Sequence, residues 1–291
     1  MPNKFKGTGV ALVTPFDKDL NIDFNGLEKL VLHTLNEGID YLVVQGTTGE
    51  SATINKEEKR AILRTVNNLK NDLPIVVGFG GNSTLDVIEQ IKSFETEEYD
   101  AVLSVCPYYN KPTQNGLINH FQMIADQSEK PVILYNVPGR TSINLTAQST
   151  LILSQHPNII GVKEASGDFN QCVDIAKNKA PGFLLISGDD LLTLPLISIG
   201  AKGVISVIAN ALTRQMVQIV NSGLKNNISE SRRELHNISD VNTLMYKEGN
   251  PAGIKCLLEI MGICKSDVRP PLMKASAPLF EEIKAAYTSI K

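Results

Sequence analysis

Eight short, β-rich apolar runs recur along the chain, at residues 9–13, 41–44, 75–79, 101–105, 132–135, 159–163, 183–186 and 203–207. A turn and then a helix-like stretch follow each of them. Runs that are apolar throughout, rather than alternating, belong to parallel strands covered on both faces. Eight strand-plus-helix units predict an α/β fold, a (β/α)8 TIM barrel, for which roughly 250 residues suffice. The chain has 291 residues. A doubly wound sheet uses the same units, because strand count alone does not force closure. No glycine fingerprint for a dinucleotide follows the first run, which weighs against that alternative.

The helical stretches differ in clarity. Residues 56–69 carry Ile62, Val66 and Leu69 on one face, with Asn55 and Glu58 spaced for a capping box. Residues 85–94 place Leu85, Ile88 and Ile91 at helical spacing, and 116–124 and 145–153 are weaker examples. After residue 207 the strand signal stops. Stretches 214–221, 231–246, 251–261 and 278–290 read as helices, the last with Leu279, Ile283, Ala286 and Ile290 along one side. The first of these completes the eighth unit. The expected organisation is a catalytic barrel over residues 1–227 and a C-terminal helical region over 228–291 packed on it.

Composition narrows the function classes. At 42% hydrophobic, 20% charged and a net charge of −3, the chain has ordinary globular composition and no electrostatic reason to bind nucleic acid or an anionic membrane. No apolar run reaches membrane-spanning length, and residues 1–6 lack the apolar core of a signal peptide. The four cysteines, Cys106, Cys172, Cys256 and Cys264, are scattered and read as reduced thiols of a cytoplasmic protein. His33, His120, His156 and His236 show no paired-ligand spacing, so neither a metal nor another cofactor is expected.

In a barrel the active site lies at the C-terminal ends of the strands. The sixth run ends in Lys163. Buried, that lysine is an amine that sheds its proton and attacks carbonyl carbon; on an exposed strand end it is a solvated cation. The second run leads into Gly46-Thr47-Thr48-Gly49-Glu50-Ser51, either an anion-binding turn or polar filler between glycines. Tyr108 and Tyr109 follow the fourth run between prolines, as a presented phenol or a subunit contact. The fifth run ends in Tyr135, with Arg140 five residues on, suited to a carboxylate or to a surface ion pair. Asp189 and Asp190 follow the seventh run, where phosphate-binding barrels place glycines and helix N-termini, and they disfavour a phosphorylated substrate.

Six motifs in order then carry a resemblance over nearly the whole chain: GTTGES at 46–51, YYNKP at 108–112, YNVPGRT at 135–141, GVKEASGD at 161–168, SGDD at 187–190 and GVISV at 203–207. They resemble the pyruvate-dependent class I aldolases and lyases related to dihydrodipicolinate synthase and N-acetylneuraminate lyase. The resemblance implies that Lys163 forms a Schiff base with pyruvate and that loss of a methyl proton gives an enamine. It implies that Thr47 and Thr48 hold the pyruvate carboxylate, that the backbone at Ile205 also contacts pyruvate, and that Tyr135 shuttles protons. Thr47 would link Tyr135 to Tyr109 of a neighbouring subunit, which requires a homo-oligomer; the family suggests a homotetramer, a dimer of dimers. Arg140 would bind the carboxylate of L-aspartate-4-semialdehyde, which favours condensation to 4-hydroxy-tetrahydrodipicolinate in the diaminopimelate/lysine route. The alternative is a sibling aldolase acting on N-acetylneuraminate or a 2-keto-3-deoxy sugar acid, and the sialic-acid lyases differ after the equivalent tyrosine. A barrel that only binds a keto acid would be expected to lose the lysine or the tyrosines, and all are present.

One departure bears on regulation. Family members inhibited by lysine have histidines where this chain has Lys56 and Lys59, and a glutamate where it has Asp86, whereas Asn82 and Tyr108 match. Two cations there would repel the ammonium groups of the ligand. Inhibition by L-lysine is therefore expected to be weak or absent.

Overall fold

In the computed structural model, which describes residues 2–290, the eight strands close on themselves in sequence order. They are β1 (Gly7–Ala11), β2 (Tyr41–Val44), β3 (Ile75–Gly78), β4 (Ala101–Val105), β5 (Val132–Asn136), β6 (Ile159–Glu164), β7 (Leu184–Ser187) and β8 (Gly203–Ser206). Each is paired in parallel with its neighbours, and β1 closes the ring against β8. The closed barrel, rather than the open sheet, is the fold.

Helices α1 (Phe24–Asn36), α2 (Lys56–Leu69), α3 (Thr84–Lys92), α4 (Gln114–Gln127), α5 (Pro138–Thr141), α6 (Ala147–Leu153), α7 (Phe169–Asn178), α8 (Thr193–Ser198) and α9 (Thr213–Leu224) connect or follow the strands. Helices α10 (Ile228–Met245), α11 (Ala252–Ile260) and α12 (Ala277–Thr288) complete the chain, with α10 packed on α9 and α12. Starts are set by local chemistry: the side chains of Asp23, Ser83, Thr113, Thr146 and Asp168 each accept a backbone N–H of the first turn. The Asn55–Glu58 capping box forms, with both bonds at 2.9 Å.

Strand alternation divides the core into two layers. On β2, Tyr41 and Val43 point into the barrel with Leu103, Ile133, Ile186 and Ile205. Leu42 and Val44 face outward onto the helices, with Leu30, Ile62 and Val66.

Boundaries moved where tertiary contacts dictate them. β1 starts two residues earlier than the apolar run, because Gly7 and Thr8 pair with Gly203 and Val204 of β8. Val13, expected in the strand, donates its N–H to Asn210 Oδ1 instead, at 3.0 Å. On α3 the buried face is Val87, Ile88 and Ile91, and Leu85 is exposed. The spacing put Leu85 with Ile88 and Ile91, but where α3 packs against α4 Val87 takes its place on the buried face. Helices α1, α7 and α8 had no distinct sequence reading; on α1 the buried set is Leu27, Leu30 and Val31.

Candidate active site

The C-terminal strand ends surround a cavity of about 540 Å³. Lys163 on β6 and Tyr135 on β5 are register partners, which puts both on the inner face at the same height. Lys163 is only 5% exposed, and its ammonium lies 4.4 Å from the centre of the Tyr135 ring. Burial lowers the Lys163 pKa to about 8, opposed by the charge of Asp190 and assisted by that of Arg140. A fraction of this lysine is thus the neutral amine near neutral pH. The solvated-strand-end reading of Lys163 does not hold.

Tyr135 is buried and lines the same cavity as Thr47. Burial raises the pKa of its phenol, while Arg140 and the neighbouring Thr47 side chain act the other way. Behind this pair, Asn136 Nδ2 donates to both oxygens of Glu164 at 3.1 Å, and Glu164 accepts from the backbone N–H of Ser166 at 2.8 Å. These bonds tie β5 to β6 one residue beyond Tyr135 and Lys163, fixing the two strand ends relative to each other.

Thr47 and Thr48 open a single 3-10 turn, Thr47–Gly49, and both line the cavity. Thr48 Oγ1 accepts from Asn250 Nδ2 at 3.0 Å. Arg140, on the short helix that Pro138 initiates, also lines it and donates to Asn250 O at 3.3 Å.

The aspartates after β7 act differently from simple repulsion. Asp189 Oδ1 accepts the N–H groups of Leu191 and Leu192 at 2.9 and 3.1 Å. Asp190 Oδ2 accepts those of Val207 and Ile208 at 3.2 and 3.0 Å. The backbone donors that a phosphate would need after strands seven and eight are already bonded to the protein's own carboxylates.

Not every candidate converges here. Tyr109, with φ +74, is 88% exposed and does not line the cavity. Ile205 is buried in the inner layer beside Gly9, and Val207, two residues on, forms the wall instead. Conversely, Asn242, Thr243, Tyr246 and Asn250 of the C-terminal region line the cavity without having been singled out from the sequence. They carry no motif: Asn242 and Thr243 lie along α10, and Tyr246 and Asn250 fall in the connection after it. Burial and the nearby Asp190 and Asp189 push the Tyr246 phenol well above its usual range.

Lys56, Lys59 and Asp86 line a separate cavity of about 280 Å³, joined by Glu89 and Gln90. Tyr108 lies in a neighbouring one that also includes Lys59, Thr47 and Arg140. Among the described residues no group of three or more His, Cys, Asp or Glu side chains is arranged to hold a metal ion. His120 is bonded to Thr84 and His33 to Ala211 O.

The chain matches the Dihydrodipicolinate synthetase family over residues 4–289. It is 47% identical to the 4-hydroxy-tetrahydrodipicolinate synthase of Cytophaga hutchinsonii over 287 residues, covering 98% of this chain and 97% of that protein. A dihydrodipicolinate synthase from Cyanidioschyzon merolae with lysine bound superposes with a TM-score of 0.94 at 35% identity, covering 99% of this chain and 98% of the other. A monomeric dihydrodipicolinate synthase variant gives a TM-score of 0.96 at 33% identity, covering 99% and 97%. Sequence and fold thus agree over almost the full length, and the chain belongs to the dihydrodipicolinate synthetase family.

Proposed function

We propose that this protein condenses pyruvate with L-aspartate-4-semialdehyde to give 4-hydroxy-tetrahydrodipicolinate, through a Schiff base on Lys163, in the diaminopimelate/lysine route. The observation that carries the reading is the buried Lys163 amine, with its pKa near 8, against Tyr135 in a cavity that also holds Arg140. The neutral amine adds to the keto carbon, and water leaves to give a protonated imine. Tyr135, through Thr47, moves the protons, and removal of a methyl proton gives the enamine. Thr47 and Thr48 hold the pyruvate carboxylate. The enamine carbon then attacks the aldehyde carbon of the second substrate, whose carboxylate Arg140 binds. The aldehyde oxygen takes up a proton. The substrate's amine displaces Lys163 as the ring closes, which frees the enzyme.

No cofactor enters beyond this covalent adduct. The occupied amides at Asp189 and Asp190 support a non-phosphorylated substrate. Tyr109, exposed in the single chain, acts in this reading on a second subunit of a homotetramer built as a dimer of dimers. Residues 228–291 serve as a C-terminal helical region packed on the catalytic barrel of 1–227; Met1 and Lys291 lie outside the described residues. A cytoplasmic setting is supported by four buried, unpaired cysteines. No helix among the described residues is long and apolar enough to cross a membrane.

Borohydride reduction in the presence of pyruvate, followed by peptide mass mapping, tests the mechanism. The adduct is expected on Lys163, and an adduct elsewhere or none at all rejects it. A condensation assay with L-aspartate-4-semialdehyde, run beside cleavage assays with N-acetylneuraminate and 2-keto-3-deoxy sugar acids, tests the second substrate.

A further inference from the structure

Glu50 and Lys255 form an ion pair with both side chains fully buried, Nζ lying 2.5 Å from Oε1. Glu50 Oε2 accepts the backbone N–H of Arg269 at 3.0 Å, and Lys255 also donates to Asp267 O at 2.7 Å. Lys255 and Arg269 both sit over the Phe16 ring, at 4.2 and 4.5 Å from its centre. The Arg269 guanidinium grips both oxygens of Glu58, at 2.9 and 2.6 Å. The cluster joins the end of the Thr47–Gly49 turn to α11 and to the segment after it.

The backbone at this turn is unusual on both sides. Gln45 has φ +61 and Glu50 φ +55, left-handed values that side chains other than glycine rarely adopt. Each is held by a bond distant in sequence: Gln45 Nε2 to Lys59 O at 2.8 Å, and Glu50 to Lys255. Backbone held in such regions persists only where its surroundings over-determine it. A buried ion pair is a poor source of net stability, because desolvation offsets its attraction and an apolar pair often does as well. Its location, two residues from Thr48, suggests a different role.

We propose that the Glu50–Lys255 pair is a positioning device for the keto-acid substrate, fixing the turn so that Thr47 meets Tyr135 and Thr48 faces the substrate carboxylate. This rests on the roles given above to Thr47 and Thr48. It makes the C-terminal helical region part of the substrate site through a contact made outside the cavity that holds Lys163, which neither Glu50 nor Lys255 lines; Glu50 borders the neighbouring cavity with Thr47 and Arg140.

A single substitution would strand a buried charge, so the informative variant removes both. Glu50→Gln/Lys255→Met keeps the volumes close. The expected result is a thermal midpoint near that of the parent, KM for pyruvate raised at least about tenfold, and borohydride trapping on Lys163 retained at saturating pyruvate. A folded double variant with parental KM, whatever its kcat, overturns the proposal, since a purely structural pair predicts that result. If the double variant does not fold, Lys255→Arg is read by the same assay, because it keeps the charge but moves the donor. A raised KM then supports the proposal and an unchanged one overturns it. Failure of the parent protein to trap pyruvate on Lys163 would show instead that the catalytic reading beneath it is wrong.

Discussion

Lys163 and Tyr135 face each other across adjacent strands as register partners, with the ammonium 4.4 Å from the ring centre. The aromatic face partly compensates a cation there, but burial dominates, and the amine pKa falls to about 8. A group placed to react is here also a group that costs stability.

That cost has a sign and a pH window. The Lys163 pKa is about 8 in the folded protein and 10.5 for the ordinary side chain. Below about pH 8 the lysine is charged in both states, and burying it costs on the order of 3 kcal/mol. Between those values the unfolded chain binds more protons, so the penalty fades as pH rises and is gone above the higher value. Lys163→Met is expected to raise the thermal midpoint at neutral pH, to lose that gain in strongly alkaline buffer, and to form no adduct. Thermal unfolding followed across pH checks this.

Asp190 holds the Lys163 pKa up, and its removal should let it fall further. In Asp190→Asn, a carbonyl oxygen can still accept from Val207 and Ile208 while the charge is gone. The rising limb of the rate of pyruvate trapping against pH should move to lower pH. A limb that stays in place or moves upward would contradict the assigned influence.

Tyr109→Phe probes the relay between subunits. Because this side chain is 88% exposed in one chain, the substitution should leave the fold intact. Turnover should drop by about ten- to a hundredfold while pyruvate trapping persists. Sedimentation of parent and variant establishes whether the substitution changes the assembly state, and unchanged turnover removes Tyr109 from the proposed relay.

L-lysine should inhibit weakly or not at all. Lys56 and Lys59 share a cavity with Asp86 and Glu89, and the two cations would repel the ammonium groups of a lysine ligand there. Steady-state rates with up to millimolar L-lysine are expected to stay near those without it. Strong inhibition below that range would show that the two lysines do not repel the ligand.

The sequence by itself determined the eight strand-plus-helix units, put Lys163 and Tyr135 at strand ends with Arg140 just beyond one, and left closure of the barrel to the tertiary structure. Repeated apolar runs are a local property of the chain, and the eight-unit count leaves few ways to cover both faces of parallel strands. The order of motifs was legible for the same reason, since each lies at the end of its own run. Tertiary structure alone decided that Val87 rather than Leu85 joins the buried face of α3, that β1 begins at Gly7, and that Asn242, Tyr246 and Asn250 line the cavity that holds Lys163. It alone brought Lys255 to Glu50 across 205 positions. The protonation of Lys163 belongs to this second group, because a pKa follows from the loss of water and from neighbouring charges, and both are set by how distant segments pack.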